Sequence, residues 1–189
     1  MNKYVIQNVE SATRSADEAN RDEGRSPIAL TLQVGSRADY EYIKQWDSFW
    51  GDRRQELQRG QLFTARMPDQ CCVGYVVVVP GGFLNYPLIT LLCTNPSYRR
   101  LGVARQLLWH VERIWCGTRL FTTTESDNLA MQTLLENLDY ERAGSVEKVN
   151  ASLMTELIYA KDTGVHLAGH AAPATASERR GECALSQVG

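Results

Sequence analysis

The chain lacks any long hydrophobic run. A membrane-spanning helix needs about 20 consecutive apolar residues, whereas the most apolar short segment of this 189-residue sequence, Val76 to Val79, ends at Pro80. The N-terminus also lacks the apolar stretch of a secretory signal. These absences predict a protein that neither crosses a membrane nor is secreted, so we expect a cytoplasmic location.

An excess of basic residues is also missing. The 20 Lys and Arg residues are balanced by 22 Asp and Glu residues, which gives a formal net charge of -2. Domains that bind nucleic acid usually carry a basic excess. We therefore expect no nucleic acid among the partners of this chain.

The cysteines form no recognisable disulfide framework or zinc site. Their number is odd, and their spacings match no zinc-ligand pattern. We expect reduced thiols and no metal ion. The five cysteines are Cys71, Cys72, Cys93, Cys116 and Cys183.

Strand and helix patterns alternate between residues 28 and 162, and this part of the chain has the length of one domain. Residues 1–27 form a polar N-terminal segment. Residues 163–189 contain many Ala and Gly residues and few large apolar ones, a composition that favours a flexible tail without a core. The order of elements predicts a single mixed α/β domain around one central sheet.

Hydrophobic periodicity and turn residues set the expected elements. The apolar strand 88–94 is expected to be buried on both faces, and Gly81-Gly82 is expected to open a turn. The helical region 38–60 is expected to form one helix or two short ones, with Gly51 as the break and Tyr42, Ile43 and Trp46 on the buried face. Strands are predicted at 28–34, 61–66, 72–79, 88–94, 120–124, 141–149 and 155–161, and further helices at 102–116 and 129–138.

The segment Arg99-Arg100-Leu101-Gly102-Val103-Ala104 connects the strand 88–94 to the following helix. The first turn of a helix has unpaired N–H groups and the positive end of the helix dipole. Gly102 and Ala104 are small enough to let the backbone approach an anion. Arg99, Arg100 and Arg105 add positive charge. The segment therefore predicts a site for a diphosphate group.

This segment resembles the Arg/Gln-x-x-Gly-x-Gly/Ala motif of the GNAT N-acetyltransferases. The similarity also includes Asn95-Pro96-x-Tyr98-Arg99 before it, a second segment from Asn128 to Gly144, and a closing strand from Glu156 to Lys161. It spans about residues 28 to 162, in the order and spacing of the family. The resemblance implies a mixed, mostly antiparallel sheet flanked by helices, with a splayed strand pair that holds CoA.

The resemblance further implies an acetyl-CoA donor and direct transfer of its acetyl group to a primary amine, on a small molecule, a protein N-terminus or a lysine. The strand backbone would bind the pantetheine arm, and the amides that follow it would bind the pyrophosphate. Asn128 would either approach the thioester end or serve as a plain helix N-cap. The implied cofactor-binding residues are Leu92, Cys93, Thr94, Arg99, Arg100, Leu101, Gly102, Val103, Ala104, Arg105 and Asn128.

The family's usual proton-handling residues are missing. Leu135 occupies the position of the Tyr that serves as the acid in many members, and the strand 86–94 contains no Asp or Glu. Glu125 is the best candidate base, directly or through water, and the alternative is a carboxylate that stabilises the next helix. Cys93 could accept the acetyl group but has no adjacent His or Asp. Tyr140 is expected to pack in the core, and a catalytic role is the alternative.

The resemblance implies that the acceptor docks between the first helical segment and the later hairpin loops. Acidic groups beside aromatic rings would suit a cationic amine, and core packing with solvated acids is the alternative. The candidates are Tyr40, Glu41, Trp46, Asp47, Trp50 and Glu56. A non-catalytic CoA-binding sensor or interaction module, and a protein that binds another phosphate ligand, are the competing hypotheses. The oligomeric state stays open, a homodimer included.

Overall fold

A computed structural model describes residues 28–49 and 51–164 of the chain. The predicted N-terminal segment, Trp50 and residues 165–189 of the predicted tail lie outside the described residues. Seven strands are present: β1 (Thr31–Val34), β2 (Leu62–Arg66), β3 (Cys72–Phe83), β4 (Tyr86–Thr94), β5 (Arg119–Glu125), β6 (Glu141–Val146) and β7 (Glu156–Asp162). Four α-helices accompany them: α1 (Arg37–Trp46), α2 (Arg54–Gln58), α3 (Val103–Ile114) and α4 (Leu129–Glu136).

The seven strands form one sheet in the order β1-β2-β3-β4-β5-β7-β6. Every neighbouring pair is antiparallel except β4 and β5, which are parallel and are connected through α3. The sequence-based prediction of a single mixed α/β domain around one central sheet is thereby confirmed. None of the described helices is long and apolar enough to cross a membrane.

The parallel pair opens like a V. Strands β4 and β5 are in register only at Leu88 with Phe121 and at Ile89 with Thr122, although each strand continues for several more residues. On its other side, β4 stays paired with β3 as far as Thr94, with an irregularity at Thr90 where the register shifts. A bulge increases the local bend and twist of a strand. The predicted splayed strand pair is therefore present, between Ile89 and the carboxyl ends of the two strands.

Helices cover both faces of the sheet. On one face, the apolar stripe of α3 and the Leu135 side chain of α4 pack in the larger hydrophobic cluster. On the other face, Ile43 of α1 is fully buried in a second cluster with Leu62, Tyr75 and Val77. Because both faces are covered, β3 in the centre of the sheet is buried along most of its length.

Several predicted details need correction. The turn expected at Gly81-Gly82 is not there: β3 continues to Phe83, and the chain reverses at Leu84 and Asn85, which both have positive φ angles (47° and 66°). This pair of positive angles suits the twist of a two-residue hairpin. Strand β4 is only half-buried beyond Ile89, because the V leaves one edge open. Tyr42 is 38% exposed, so the buried face of α1 is narrower than predicted.

The helical region 38–60 and the segment that follows β7 are also seen in detail. The region 38–60 forms two short helices, and Gly51 between them has a φ of 105°, as the break requires. Thr163 lies one residue beyond the predicted domain boundary and is buried. Its backbone amide donates to the Thr118 carbonyl oxygen at 2.9 Å, so Thr163 belongs to the packed domain.

Candidate functional site

The V between β4 and β5 forms a cleft whose walls come from both strands and from the start of α4. Beyond Ile89, β4 has no strand partner on its β5 side among the described residues. An unpaired strand edge can accept an extended ligand as an added strand. The cleft is lined by Phe49, Ile89, Thr90, Leu91, Leu92, Thr122, Thr123, Thr124, Asn128 and Met131.

Three residues of β4 were predicted to bind the pantetheine arm, and the structure assigns them different surroundings. Leu92 lines the cleft. Thr94 ends the strand that leads toward α3. The Cys93 side chain packs against the second cluster on the α1 face. Burial, followed by the charge of Asp47, raises the pKa of the Cys93 thiol to about 12. A thiol with this pKa is protonated at neutral pH, which disfavours an acetylated cysteine as an intermediate.

The predicted phosphate-binding segment lies directly beyond the carboxyl end of β4. Arg100 and Gly102 have positive φ angles of 62° and 77°, and Gly102 is the N-cap of α3. The first amide to bond back into the helix is that of Gln106, which donates to the Gly102 carbonyl at 3.0 Å. The amides of residues 102–105 therefore precede the helical ladder and remain suitable for an anion.

The same segment has charged side chains on the protein surface and one apolar side chain that packs in the core. Arg99 and Arg100 are exposed, whereas Val103 is buried. A Cβ atom at Gly74 of β3 would lie 2.7 Å from the Val103 side chain, so only glycine allows α3 to approach the sheet this closely. The remaining residues of the predicted site, Leu101, Ala104 and Arg105, are partly buried. The start of α3 is thus held firmly against β3.

The surroundings of Asn128 bear on both of the roles expected for it. It is the N-cap of α4, and its side-chain oxygen accepts from the Met131 amide at 3.2 Å. It also lines the cleft. The cap uses the carbonyl oxygen, so the NH₂ group of the same side chain is the part that could donate to a ligand.

The positions of Leu135 and Tyr140 show whether either side chain could reach the cleft, where an acid would protonate the departing thiolate. Leu135 is fully buried in the larger cluster. Tyr140 is 2% exposed and belongs to the same cluster, as expected for a core residue. Burial and the neighbouring Glu112 carboxylate raise the pKa of Tyr140 above its ordinary value. Neither residue is among those that line the cleft.

Glu125 ends β5 and is 1% exposed. Its Oε1 atom accepts from the Ser152 hydroxyl, and its Oε2 atom has no hydrogen-bond partner among the described residues. The first turn of α4 is capped by the Asn128 side chain, and no hydrogen bond from the Glu125 carboxylate to α4 is present among the described residues. The hydrogen-bond partner of Glu125, Ser152, belongs to the loop between β6 and β7.

Glu156 was missed by the sequence-based analysis. It is the register partner of Glu125 across β5 and β7, is 7% exposed, and accepts from Asn150 Nδ2 at 3.1 Å. Burial and then the Glu125 charge raise the pKa of Glu156, against the hydrogen bonds from Thr123 and Asn150. An acidic residue directly before the apolar run 157–160 was the available signal.

The residues proposed for the acceptor divide into a buried and an exposed set. Asp47 accepts from the Tyr75 hydroxyl at 2.9 Å and lies 3.4 Å from Arg53. Arg53 also contacts Glu56 at 3.4 Å. These contacts join α1, α2 and β3 and indicate a structural role for both acids. Glu41 is exposed and pairs with Lys44 at 2.6 Å.

The described part of the chain contains no group of three or more His, Cys, Asp or Glu side chains that could hold a metal ion.

Residues 30–140 match the model of the Acetyltransferase (GNAT) family, which is more than half of the chain. The chain belongs to this family. No curated protein matches the sequence.

Solved structures agree with this fold. A GNAT-family acetyltransferase from Bacillus cereus is 20% identical, with a TM-score of 0.62 over 71% of this chain and 98% of its own. The putative acetyltransferase YncA from Salmonella typhimurium, solved with its cofactor acetyl-CoA, is 17% identical, with a TM-score of 0.60 over 77% and 98%. Arabidopsis thaliana Naa50, in complex with the bisubstrate analogue CoA-Ac-MVNAL, is 14% identical, with a TM-score of 0.60 over 71% and 99%.

Proposed function

We propose that the protein is an acetyl-CoA-dependent N-acetyltransferase that transfers the acetyl group directly to a primary amine. The observation that carries the proposal is the continuity of two features: an open strand edge on β4, and the unpaired amides at the N-terminus of α3. A long ligand with a diphosphate at one end and an amide-containing arm at the other fits this arrangement.

Different residues bind different parts of the cofactor. The backbone of Leu92, Cys93 and Thr94 hydrogen-bonds the pantetheine arm, and the amides from Arg100 to Arg105 hold the pyrophosphate, with Arg99 adding charge. Acetyl-CoA supplies the activated acetyl group when it is bound. Asn128 donates from its NH₂ group at the cleft. The structures of YncA with acetyl-CoA and of Naa50 with a CoA-peptide analogue support CoA as the ligand of this fold.

On the acceptor side we propose Glu125 as the base. It lies at the carboxyl end of β5, where the strands diverge, and one of its carboxylate oxygens has no partner in the described residues. An Asp or Glu held near a reacting amine can accept its proton. Leu135 gives α4 no acid at the usual position, so the departing thiol takes its proton from elsewhere. The cytoplasmic location and the domain limits stay predictions.

Turnover with a panel of amines tests the proposal. Purified protein is mixed with acetyl-CoA and small amines, peptides with free N-termini, or lysine peptides, and free CoA thiol is followed over time. Thiol release that depends on an amine supports the transferase. CoA binding without turnover of any amine overturns it in favour of the sensor or interaction module, which the buried Leu135 favours. No increase in melting temperature with CoA overturns both.

A further inference from the structure

A groove of about 530 Å³ lies beside the carboxyl end of α3 and shares no lining residue with the cleft. One wall is a single face of the helix and its extension, because residues 109, 112, 113 and 116 follow the helical spacing of three and four. The other wall is the end of β7 and the two residues after it, 161–164. Trp109 is 48% exposed. The groove therefore has a large aromatic side chain that the described part of the chain leaves half open.

Three of the four charged side chains in the groove are paired with a group of opposite charge. Lys161 Nζ lies 2.8 Å from Glu112 Oε2, and both side chains are mostly buried. Asp162 lies 3.5 Å from Arg119 Nε. The fourth, Arg113, is exposed to water. An ionic ligand would have to compete with these pairs, whereas an apolar side chain can pack on the exposed indole without disturbing them. The groove therefore favours an apolar occupant.

The chain itself reaches this groove where it leaves the sheet. The Thr163 hydroxyl donates to the Trp115 carbonyl oxygen at 2.5 Å, which fixes the end of β7 to the end of α3. Gly164 follows with a φ of 120°, and a Cβ atom there would lie 3.3 Å from the Gly117 nitrogen. This conformation suits glycine and ends the extended path of β7. Because Gly164 also lines the groove, the next residue starts at the wall that contains Cys116.

The segment 165–168, which follows directly, has the composition and the length that the groove requires. It contains Val165 and Leu167, and the next large aliphatic residue of the chain is Leu185. Residues two apart on an extended segment share a face, so both side chains can point to the same wall. The helical wall, residues 109–116, is about 10 Å long at 1.5 Å per residue. Three extended steps along the segment also cover about 10 Å.

We propose that residues 165–168 bind in this groove, with the Val165 and Leu167 side chains against α3 and Leu167 on the Trp109 indole. The tail that the composition predicts to be flexible then begins at Gly169. Docking of the segment fastens the end of β7 to the carboxyl end of α3, the helix whose N-terminus is assigned to the phosphate groups. The proposal goes beyond the transferase function, and its tests need neither acetyl-CoA nor an amine.

Alkylation of Cys116 in the full-length protein tests the docking. This partly buried thiol lines the groove, so a reagent reaches it when the segment 165–168 has left. Leu167→Asp should raise the labelling rate of Cys116, read by mass spectrometry relative to Cys71, by about tenfold or more, since the segment loses the burial of one leucine. Leu185→Asp is the matched control, because it makes the same change in the same tail. It should leave the rate within about twofold of the wild type.

Three outcomes of the labelling experiment overturn the proposal. Equal rates at Cys116 in the wild type and in Leu167→Asp show that the segment does not cover the groove. An equal increase in Leu167→Asp and Leu185→Asp assigns the protection to the tail as a whole and not to residues 165–168. Protection that disappears when the wild type is diluted about tenfold shows that a second copy of the chain occupies the groove.

A double-mutant cycle on melting temperature tests the contact between Trp109 and Leu167. Trp109→Ala and Leu167→Asp should each lower the melting temperature by about 2–4 °C. The double variant should lose no more than the larger of the two single losses, because both changes remove the same contact. Trp109 is half exposed, so its replacement leaves the core intact. Additive losses contradict the contact, and a melting temperature of Leu167→Asp equal to that of the wild type contradicts the docking.

Discussion

Gly102→Glu provides the sharpest test of where the phosphate groups bind. Gly102 is the N-cap of α3 with a φ of 77°, and a Cβ atom built there meets nothing within 4 Å. The new side chain therefore causes no steric clash, and its effects are limited to backbone strain and charge. A non-glycine residue in the left-handed region costs about 1–2 kcal/mol of stability.

The charge decides the effect on CoA affinity. A carboxylate about 4 Å from one phosphate charge, at an effective dielectric constant of about 20, opposes binding by about 4 kcal/mol. Each 1.4 kcal/mol is about a factor of ten, so we expect an affinity loss of roughly 1000-fold. Isothermal titration of the variant with CoA measures this loss directly.

Gly117 offers a matched control at the opposite end of the same helix. It also has a φ of 77° and open space around a Cβ atom, but it follows the last turn of α3. Gly117→Glu introduces the same strain and the same charge. It should lower the melting temperature by a similar amount and leave CoA affinity within about threefold of the wild type. An equal loss of affinity in both variants, or none in Gly102→Glu, would refute the assignment of the α3 N-terminus as the phosphate site.

Three further predictions concern the supports of the cleft. Gly74→Val forces the start of α3 away from β3, because a Cβ atom would lie 2.7 Å from the Val103 side chain; we expect a loss of about 1–3 kcal/mol in unfolding free energy by denaturant titration, together with weaker CoA binding. A melting temperature equal to the wild type would contradict the close approach. Asn128→Ser keeps an oxygen that can cap α4 but removes the NH₂ group. The free energy of unfolding should therefore change by less than about 0.5 kcal/mol, while the KM for acetyl-CoA rises. An unchanged KM would show that Asn128 serves only as the helix cap. The third prediction concerns Asp39. Burial alone raises the pKa of its carboxyl group, but the hydrogen bonds from Arg66 and Ser36 outweigh burial, so the pKa lies below its ordinary value. This stabilisation is present at neutral pH and is lost as pH falls through the depressed pKa. Asp39→Asn, which leaves the partly buried Arg66 without its carboxylate partner, should cost up to about 3 kcal/mol at neutral pH and less in acid, measured by unfolding across pH. An equal cost at every pH would speak against the ion pair.

Sequence reasoning succeeded where the signal is local. The stripe of α3, the two short helices around Gly51 and the loop from Arg99 to Ala104 each depend on residues close together in the chain, and each has the predicted form. The hairpin turn at Leu84 and Asn85 was missed because Gly81-Gly82 gave a stronger local turn signal than two ordinary residues that adopt positive φ angles.

The family, the order of the elements and the segment suited to phosphate groups could all be predicted from the amino-acid sequence, because they follow from periodicity, small residues and spacing along the chain. The tertiary structure alone decided which carboxylates meet. Glu125 and Glu156 are 31 residues apart in the chain, and only the antiparallel pairing of β5 with β7 makes them register partners. Their burial, and the contacts of Ser152 with Glu125 and of Asn150 with Glu156, likewise depend on packing between distant segments.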